Sequence, residues 1–445
     1  MGLGSAILLL AGCAHYQPAP LDQGQNVLAA PAMDILKADA AKIDRPFLHP
    51  TAIDLNKPLD ANAIGIIAVL ENPDLKALRA HAGVTDAQAF AARLLPDPTL
   101  NLSYDKLVAG PDAYDNFVGQ IVQDIAMLRE RKVIAQQNKA MVQQTRLDLA
   151  WAEWQTAGAA RLQAVRILAL EQQVALNAAS RNSAQALLDA SLRASLRGDL
   201  AADPVQANRL AALDAQDKLR TSEAALATAR GELARLLGLP PSTPLRLAPQ
   251  SRPVPALDPA KLFSLAMHRR TDLAALRAGY AAQEASVHKA VLDQFPSLTL
   301  GFTGTRDATP DTLIGGAVNF TLPLWNRNRG GIAIAQATRG ALKADYDARL
   351  FQTRSDIAEA VAGIRIAQKS VTELQAQLPA LELYAAGSAK ASAHGDIAQA
   401  TATIAAQSLR DRQAQLGIAQ QALDEQMIAL ELLTGASLST WTMDQ

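Results

Sequence analysis

Apolar and polar positions alternate over residues 98–105, where Leu100, Leu102 and Tyr104 interleave with Asn101, Ser103 and Asp105. The alternation returns farther on, with Leu298, Leu300 and Phe302 set against Thr299, Gly301 and Thr303. A period of two gives a strand one apolar and one polar face. Turn-forming runs, Ala109-Gly110-Pro111-Asp112 and Asp307-Ala308-Thr309-Pro310-Asp311, lead into returning segments. The second of these sets Ile314, Val318, Phe320 and Leu322 against Asn319 and Thr321. Strands are therefore expected at about 98–108, 116–125, 296–306 and 314–324.

The pattern then changes period. Stretches poor in Pro and Gly at about 127–194 and 331–393 read as helices on the order of 100 Å long. Shorter helices run back over about 201–238 and 397–434, and in the second Leu409, Leu416, Leu423 and Leu430 recur every seven residues. A sustained heptad marks a coiled-coil seam, so each long helix and its return form a hairpin. The hairpin tips are expected at about 195–201 and 392–398. Further helices open each copy at about 74–95 and 272–293, with Asn72-Pro73 and Thr271 as candidate caps.

These elements belong to a duplication. Asp74-Leu75-Lys76-Ala77-Leu78-Arg79-Ala80 returns as Asp272-Leu273-Ala274-Ala275-Leu276-Arg277-Ala278, and Pro98-Thr99-Leu100 as Pro296-Ser297-Leu298, each 198 positions on. Gly198-Asp199-Leu200 returns as Gly395-Asp396-Ile397 at a spacing of 197. An ordered internal repeat means a pseudo-symmetric body. Two copies, 71–239 and 261–435, are separated by a Pro-rich linker at 240–260 and followed by a tail at 436–445. Residues 13–70 precede them as an extended, proline-interrupted arm and a first helix.

With 42 basic and 43 acidic residues the chain has no overall field to attract nucleic acid. Aromatics make up only 4%, which suits close-packed helices with small interfacial side chains. The single cysteine, Cys13, follows an apolar run in Leu10-Ala11-Gly12-Cys13. Residues 1–12 therefore read as a signal peptide, and because Met1–Gly4 carries no Lys or Arg its true start is expected upstream. Beyond this leader no run approaches the ~18–20 uncharged apolar residues of a membrane helix. If the chain spans a membrane, strands must do so. Four strands in an open sheet leave unpaired edges that lipid cannot satisfy, so closure calls for further copies of the chain.

Taken together, the chain resembles the TolC-like outer-membrane efflux family and its lipoprotein branch. The resemblance is carried by Leu10-Ala11-Gly12-Cys13, the repeated helix, strand, strand, helix order, and Pro98 and Pro296 before strands. Pro323-Leu324-Trp325 closing the fourth strand and the two Gly-Asp pairs between long helices complete it. It implies a mostly α fold with membrane β-structure: a homotrimer with a twelve-stranded β-barrel continued by a twelve-helix coiled-coil α-barrel. It also implies lipidation at Cys13 and an outer-membrane location, anchored by lipid and reaching into the periplasm. The partners implied are a periplasmic adaptor (membrane fusion) protein, an inner-membrane RND-type pump and outer-membrane lipid. Two positions depart from the family pattern: Ile125 stands where the second copy has Pro323, and the stretch near Thr401 and Ile404 carries no carboxylate ring.

Arg197, Gly198, Asp199 and Leu200, with His394, Gly395, Asp396 and Ile397, are expected at adaptor-facing tips. Gly would permit the reversal there and Asp would cap the next helix. Arg129, Arg131, Pro323, Trp325, Arg327 and Arg329 are expected at strand-to-helix junctions, where the arginines line a lumen, meet lipid head groups or begin solvated helices. Trp151 and Trp154 read as packing residues and His394 as a surface residue rather than a metal ligand. No nucleotide loop, zinc-protease motif or nucleophile elbow occurs, so no catalytic residue, metal or cofactor is expected. The reading is a non-enzymatic exit duct; its rival is a lipid-anchored periplasmic coiled-coil scaffold or adaptor without a pore.

Overall fold

The computed structural model describes residues 16–21, 24, 28–106, 108, 109, 115–249, 253–306, 311–438 and 441. Cys13 and the leader lie outside the described residues. The elements are α1 (Met33–Ala40), α2 (Ala61–Glu71), α3 (Pro73–Ala91), β1 (Thr99–Asp105), β2 (Asn116–Asp124), α4 (Ala126–Leu196) and α5 (Ala202–Leu236). The second half adds α6 (Pro259–Arg269), α7 (Thr271–Leu292), β3 (Leu298–Arg306), β4 (Thr312–Phe320), α8 (Arg329–His394) and α9 (Gln399–Thr434). Helix α4 alone has 71 residues, a rod of on the order of 100 Å.

Strand β4 ends at Phe320, so Pro323, Leu324 and Trp325 do not close it as expected. The ladder stops one pair short of positions that lack donors. Phe320 pairs with Leu298; just beyond that pair the chain carries Pro296 on one side and Pro323 on the other, and neither has an N–H. Only side chains carry the contact on, as Ser297 and Thr321 hydroxyls lie 3.0 Å apart. Conversely, Pro379 lies inside α8 without ending it.

Helices α4 and α5 form one antiparallel hairpin and α8 and α9 the other, while α4 packs against α9 and joins the two. The heptad leucines are the seam: Leu219, Leu226 and Leu233 are buried on α5, as are Leu416 and Leu430 on α9. At mid-height α2 lies across this pair, burying Ile64, Ile66 and Ile67 against Ala157, Ala160 and Ala164 of α4. Full burial of such side chains is worth about 1.5–3 kcal/mol each. The small alanines let the helices approach closely enough for it. Helix α6 makes the equivalent layer in the second copy, with Leu262 and Ala266 against Ile357, Val361 and Ile364.

Helices α2 and α6 were not foreseen as a pair, although they begin and end 198 positions apart, as the rest of the early repeat does. Their caps correspond as well: the Asp60 carboxylate accepts from Ala63 N and that of Asp258 from Ala260 N. The arm likewise holds more structure than expected, since α1 fits between Pro31 and Pro46. The linker is docked rather than loose, with Leu59 N donating to Arg246 O at 2.8 Å and Ala248 N to Leu59 O at 2.9 Å.

Both copies fasten the corner after the short helix to the end of the returning helix. Asn72 caps α3 by accepting from Leu75 N at 3.0 Å and donates from Nδ2 to Leu236 O at 2.9 Å. In the second copy Arg270 takes this place, donating to Leu433 O at 3.1 Å. Thr271, expected as a cap, is instead the first residue of α7, whose N-cap Arg270 makes no side-chain cap bond. Arg270 is engaged elsewhere, with the buried Asp272 at 2.7 Å and the Trp151 ring at 4.8 Å.

Glycine makes the same corner possible. Gly238 and Gly435 have φ of +62° and +67°, and a Cβ on Gly238 would stand 2.2 Å from the Glu71 carbonyl oxygen. Gly198 also has positive φ, +80°, but nothing lies within 4 Å of its would-be Cβ. Gly238→Ala is accordingly expected to cost about 3 kcal/mol, through left-handed strain plus a backbone clash, and Gly198→Ala about 1 kcal/mol through strain alone. Thermal unfolding followed by circular dichroism separates them; equal losses would contradict this account of the corner.

Candidate functional site

The four strands make one antiparallel sheet in the order β1-β2-β3-β4. The register sorts their side chains by face. Leu102 lies opposite Gly119, Tyr104 opposite Phe117, Ile121 opposite Phe302 and Leu300 opposite Val318, and directly paired residues share a face. That face is apolar and uncovered: Leu102 is 62% exposed, Phe302 69% and Ile314 87%. The other face carries Asn101, Ser103, Gln120, Thr299, Thr303 and Thr305 and is the more covered on β2 and β3. A soluble sheet buries its apolar side against a second layer. Here the helices continue from one end of the sheet and none of them covers it.

All four strands meet the helices at the same end, since Thr99 pairs with Val122, Asp124 with Thr299, and Leu298 with Phe320. The two passages out of the sheet differ. Chain leaves β2 for α4 through Ile125 alone, whose N–H donates to Leu298 O at 3.0 Å while the Asp124 carboxylate accepts from Ala126 N at 2.8 Å. From β4 to α8 it takes residues 321–328, ending in Arg327 and Asn328 with φ of +46° and +49°. Asn328 Nδ2 holds this loop to α7 through Ala290 O at 2.8 Å. The junction residues Arg129, Arg131, Pro323, Trp325, Arg327 and Arg329 thus lie at this shared end or in the first turns of the helices that leave it. Arg129 is partly engaged there, 3.5 Å from Glu130 and 5.6 Å over the Phe295 ring.

At the far end the two hairpin tips close with the same bonds. Gly198 N donates to Ser195 O and Asp199 N to Ala194 O; Gly395 N donates to Ser392 O and Asp396 N to Ala391 O. With φ of +80° and +82° at the glycines, each is a Schellman closure. The aspartates do not cap the next helices as expected. The N-caps of α5 and α9 are Ala201 and Ala398, neither with a side-chain bond, and Asp199 pairs with Arg197 at 2.9 Å. Leu200 packs on Leu188, Val205 and Ala212, while Arg197, Asp199, His394 and Asp396 are exposed and Ile397 is partly covered.

Between tip and mid-height, a groove of about 1120 Å³ separates α5 from α9, floored by α4. Arg410 reaches into it to donate to Ser180 Oγ at 3.0 Å, and burial holds its guanidinium below the usual arginine range. Nearer mid-height, Arg161 pairs with Glu431, and Arg166 with Glu425 at 2.8 Å. The N-terminal arm is latched at the same level, where Glu153, 2% exposed, accepts from Arg45 at 3.0 Å and Arg79 at 2.8 Å. Phe47 meets Trp154 edge-on at 4.7 Å. Sequence reading identified Trp154 as packing but missed Glu153, whose partners lie 108 and 74 residues away.

Among the described residues no group of three or more His, Cys, Asp or Glu could hold a metal ion, and no helix is long and apolar enough to cross a membrane.

The outer membrane efflux protein family model matches residues 262–436. No curated protein shows significant sequence similarity to the chain. Among solved structures, the fold is similar to that of CusC, whose crystal structures concern folding and transmembrane channel formation (TM-score 0.70, 16% identity, 89% of this chain and 99% of that one). It is also similar to the outer membrane protein VceC of Vibrio cholerae (0.68, 17%, 85% and 96%) and to the Campylobacter jejuni CmeC outer membrane channel (0.71, 13%, 86% and 88%).

The Arg166–Glu425 tie has a defined pH response. Burial works to raise the Glu425 carboxyl, but hydrogen bonds from Arg166 and Gln421 outweigh it and leave the group below its usual range. Its contribution to stability is therefore complete above the ordinary glutamate value and fades as the pH falls through the lowered one. The difference in melting temperature between the wild type and Arg166→Gln is expected to be positive at pH 7 and to shrink below about pH 4. A difference that grows in acid would contradict the assignment.

Proposed function

We propose, for a chain whose residues 262–436 match the outer membrane efflux protein family model, that it is one subunit of an outer-membrane exit duct. The observation that carries this is the four-stranded sheet with an uncovered apolar face and two unpaired edges, β1 and β4. Strands of nine residues are close to the length that crosses a bilayer when tilted. Lipid accepts the apolar face but cannot satisfy the edges, so β4 of one copy pairs with β1 of the next. Three copies close a twelve-stranded barrel wide enough to hold water. The helices repeat the logic: α5 and α8 flank α4 and α9 and expose Leu210, Leu213, Phe351 and Ile366, surface that neighbouring copies would cover to complete a twelve-helix tube.

The rest of the reading follows from these parts. Cys13 is the lipid anchor, and the tube reaches into the periplasm. Its tips, at Arg197–Leu200 and His394–Ile397, meet a periplasmic adaptor fed by an inner-membrane RND-type pump. No step is catalysed in the duct, and transport through it is passive. Polar residues of the covered sheet face, such as Gln120, Thr303 and Thr305, line the lumen.

In planar bilayers the purified protein is expected to give discrete conductance steps, and in gels a trimer that dissociates only on heating. A pore-free scaffold would show neither. Gly198→Val and Gly395→Val place a β-branched side chain on left-handed backbone at the tips, where there is open space around the Cβ. They are expected to weaken export of the pump's substrates while trimers still form; unchanged export would remove the tips from the adaptor contact.

A further inference from the structure

At the helix end of the sheet, where the junction arginines were expected to line a lumen, meet lipid head groups or begin solvated helices, charge and apolar surface sit together. The register brings the segments flanking all four strands to one level. On that level Leu95, Leu128, Phe295, Leu324 and Trp325 are exposed, Trp325 by 82%. They place exposed apolar side chains just past the last backbone pairs of the sheet. Among them stand exposed cations: Arg93 just after α3, Arg131 and Lys132 in the second turn of α4, and Arg327 and Arg329 beside Trp325.

None of these five cations has a carboxylate partner among the described residues, whereas neighbouring charges do pair. Lys289 lies 3.2 Å from Glu130 and 3.0 Å from Asp293, and Arg129 lies 3.5 Å from Glu130. Arg327 Nε donates to Pro323 O at 3.4 Å and Arg329 to Trp325 O at 3.0 Å. Those bonds anchor the guanidinium groups against the apolar loop and leave further N–H donors to turn outward. Of the acidic side chains on this level, Glu130 and Asp293 are paired as above, Asp124 is taken by the Ala126 amide, and Asp97, in the segment before β1, is exposed.

We propose that this collar binds the anionic phospholipid head groups of the leaflet on the helix side, with Arg327, Arg329, Arg131 and Lys132 meeting phosphodiester oxygens and Trp325 lying at the acyl boundary. The inference rests on the membrane-duct reading and adds a lipid class to it. Two properties of the surface select this occupant. The apolar side chains lie at the level where the exposed apolar face of the sheet ends, and the free charge beside them is predominantly of one sign, five cations against the exposed Asp97, complementary to a phosphate and accompanied by an interfacial aromatic. A guanidinium offers several donors in one plane, which suits a phosphodiester better than a neutral head group.

Quenching of Trp325 fluorescence by brominated lipid tests the proposal. The full-length protein would be reconstituted in phosphatidylcholine vesicles containing brominated phosphatidylglycerol or, separately, brominated phosphatidylcholine at the same mole fraction. The Trp325 signal is the difference between wild type and Trp325→Phe. The anionic lipid is expected to quench more, with a relative affinity of roughly fivefold or more that falls as salt is raised. In R327Q/R329Q the ratio should approach one. The salt titration is read on wild type, and R131Q/K132Q provides a second variant pair, so the test does not depend on one variant assembling. Equal quenching by the two lipids, or a preference untouched by salt and by both variant pairs, would overturn the collar and leave the duct standing. No quenching by either lipid would put Trp325 outside the bilayer and overturn both.

Discussion

A backbone amide or carbonyl left unpaired in hydrocarbon costs several kcal/mol, and this chain presents two rows of them, along β1 and β4, beside a sheet face that is apolar and bare. Among the described residues nothing else is so constrained. Helices α4 and α8 satisfy their own backbones along most of their length and need neighbours only for side-chain burial. The sheet has no such autonomy: its exposed apolar face wants an apolar covering and its edges want hydrogen-bond partners. The rods take their direction from it, because each leaves the sheet end through a short, well-bonded passage.

Duplication explains how a single chain supplies the same strand pair and helical hairpin twice over. The Asp60 and Asp258 caps, the Asn72 and Arg270 ties, and the left-handed Gly238 and Gly435 all recur at spacings of 198 or 197. What recurs is the geometry of the corner rather than its chemistry. An asparagine amide does in one copy what an arginine guanidinium does in the other, because the demand is a donor aimed at the last carbonyls of the returning helix. Left-handed backbone is a stricter demand, and there glycine stands in both copies.

Much of this architecture was legible because its signals are periodic and local. Leu100, Leu102 and Tyr104 declared a strand face, and Leu416 and Leu430 a helix seam. What escaped was set by distant partners. Glu153 looks like an ordinary charged helix residue until Arg45 and Arg79 are folded onto it. The Asp199 and Asp396 caps were misjudged because a Schellman closure already fixes the turn and the following helix starts past them, at Ala202 and Gln399. Helices α2 and α6 could have been found by extending the repeat register back to Asp60 and Asp258. The early end of β4 follows from Pro296 and Pro323 once the two are seen to flank one ladder.

The two ends of the molecule differ in how alike the copies are. At the tips both hairpins finish with the same pair of backbone bonds, so the six ends of the proposed trimer are quasi-equivalent and a ring of six identical binders could engage them in nearly the same manner. Where strands become helices the equivalence is broken, since Ile125 makes the passage alone and residues 321–328 make the other as a loop. There the rotational order of the proposed trimer would be three, and whatever recognises that level would be matched at most three times per turn.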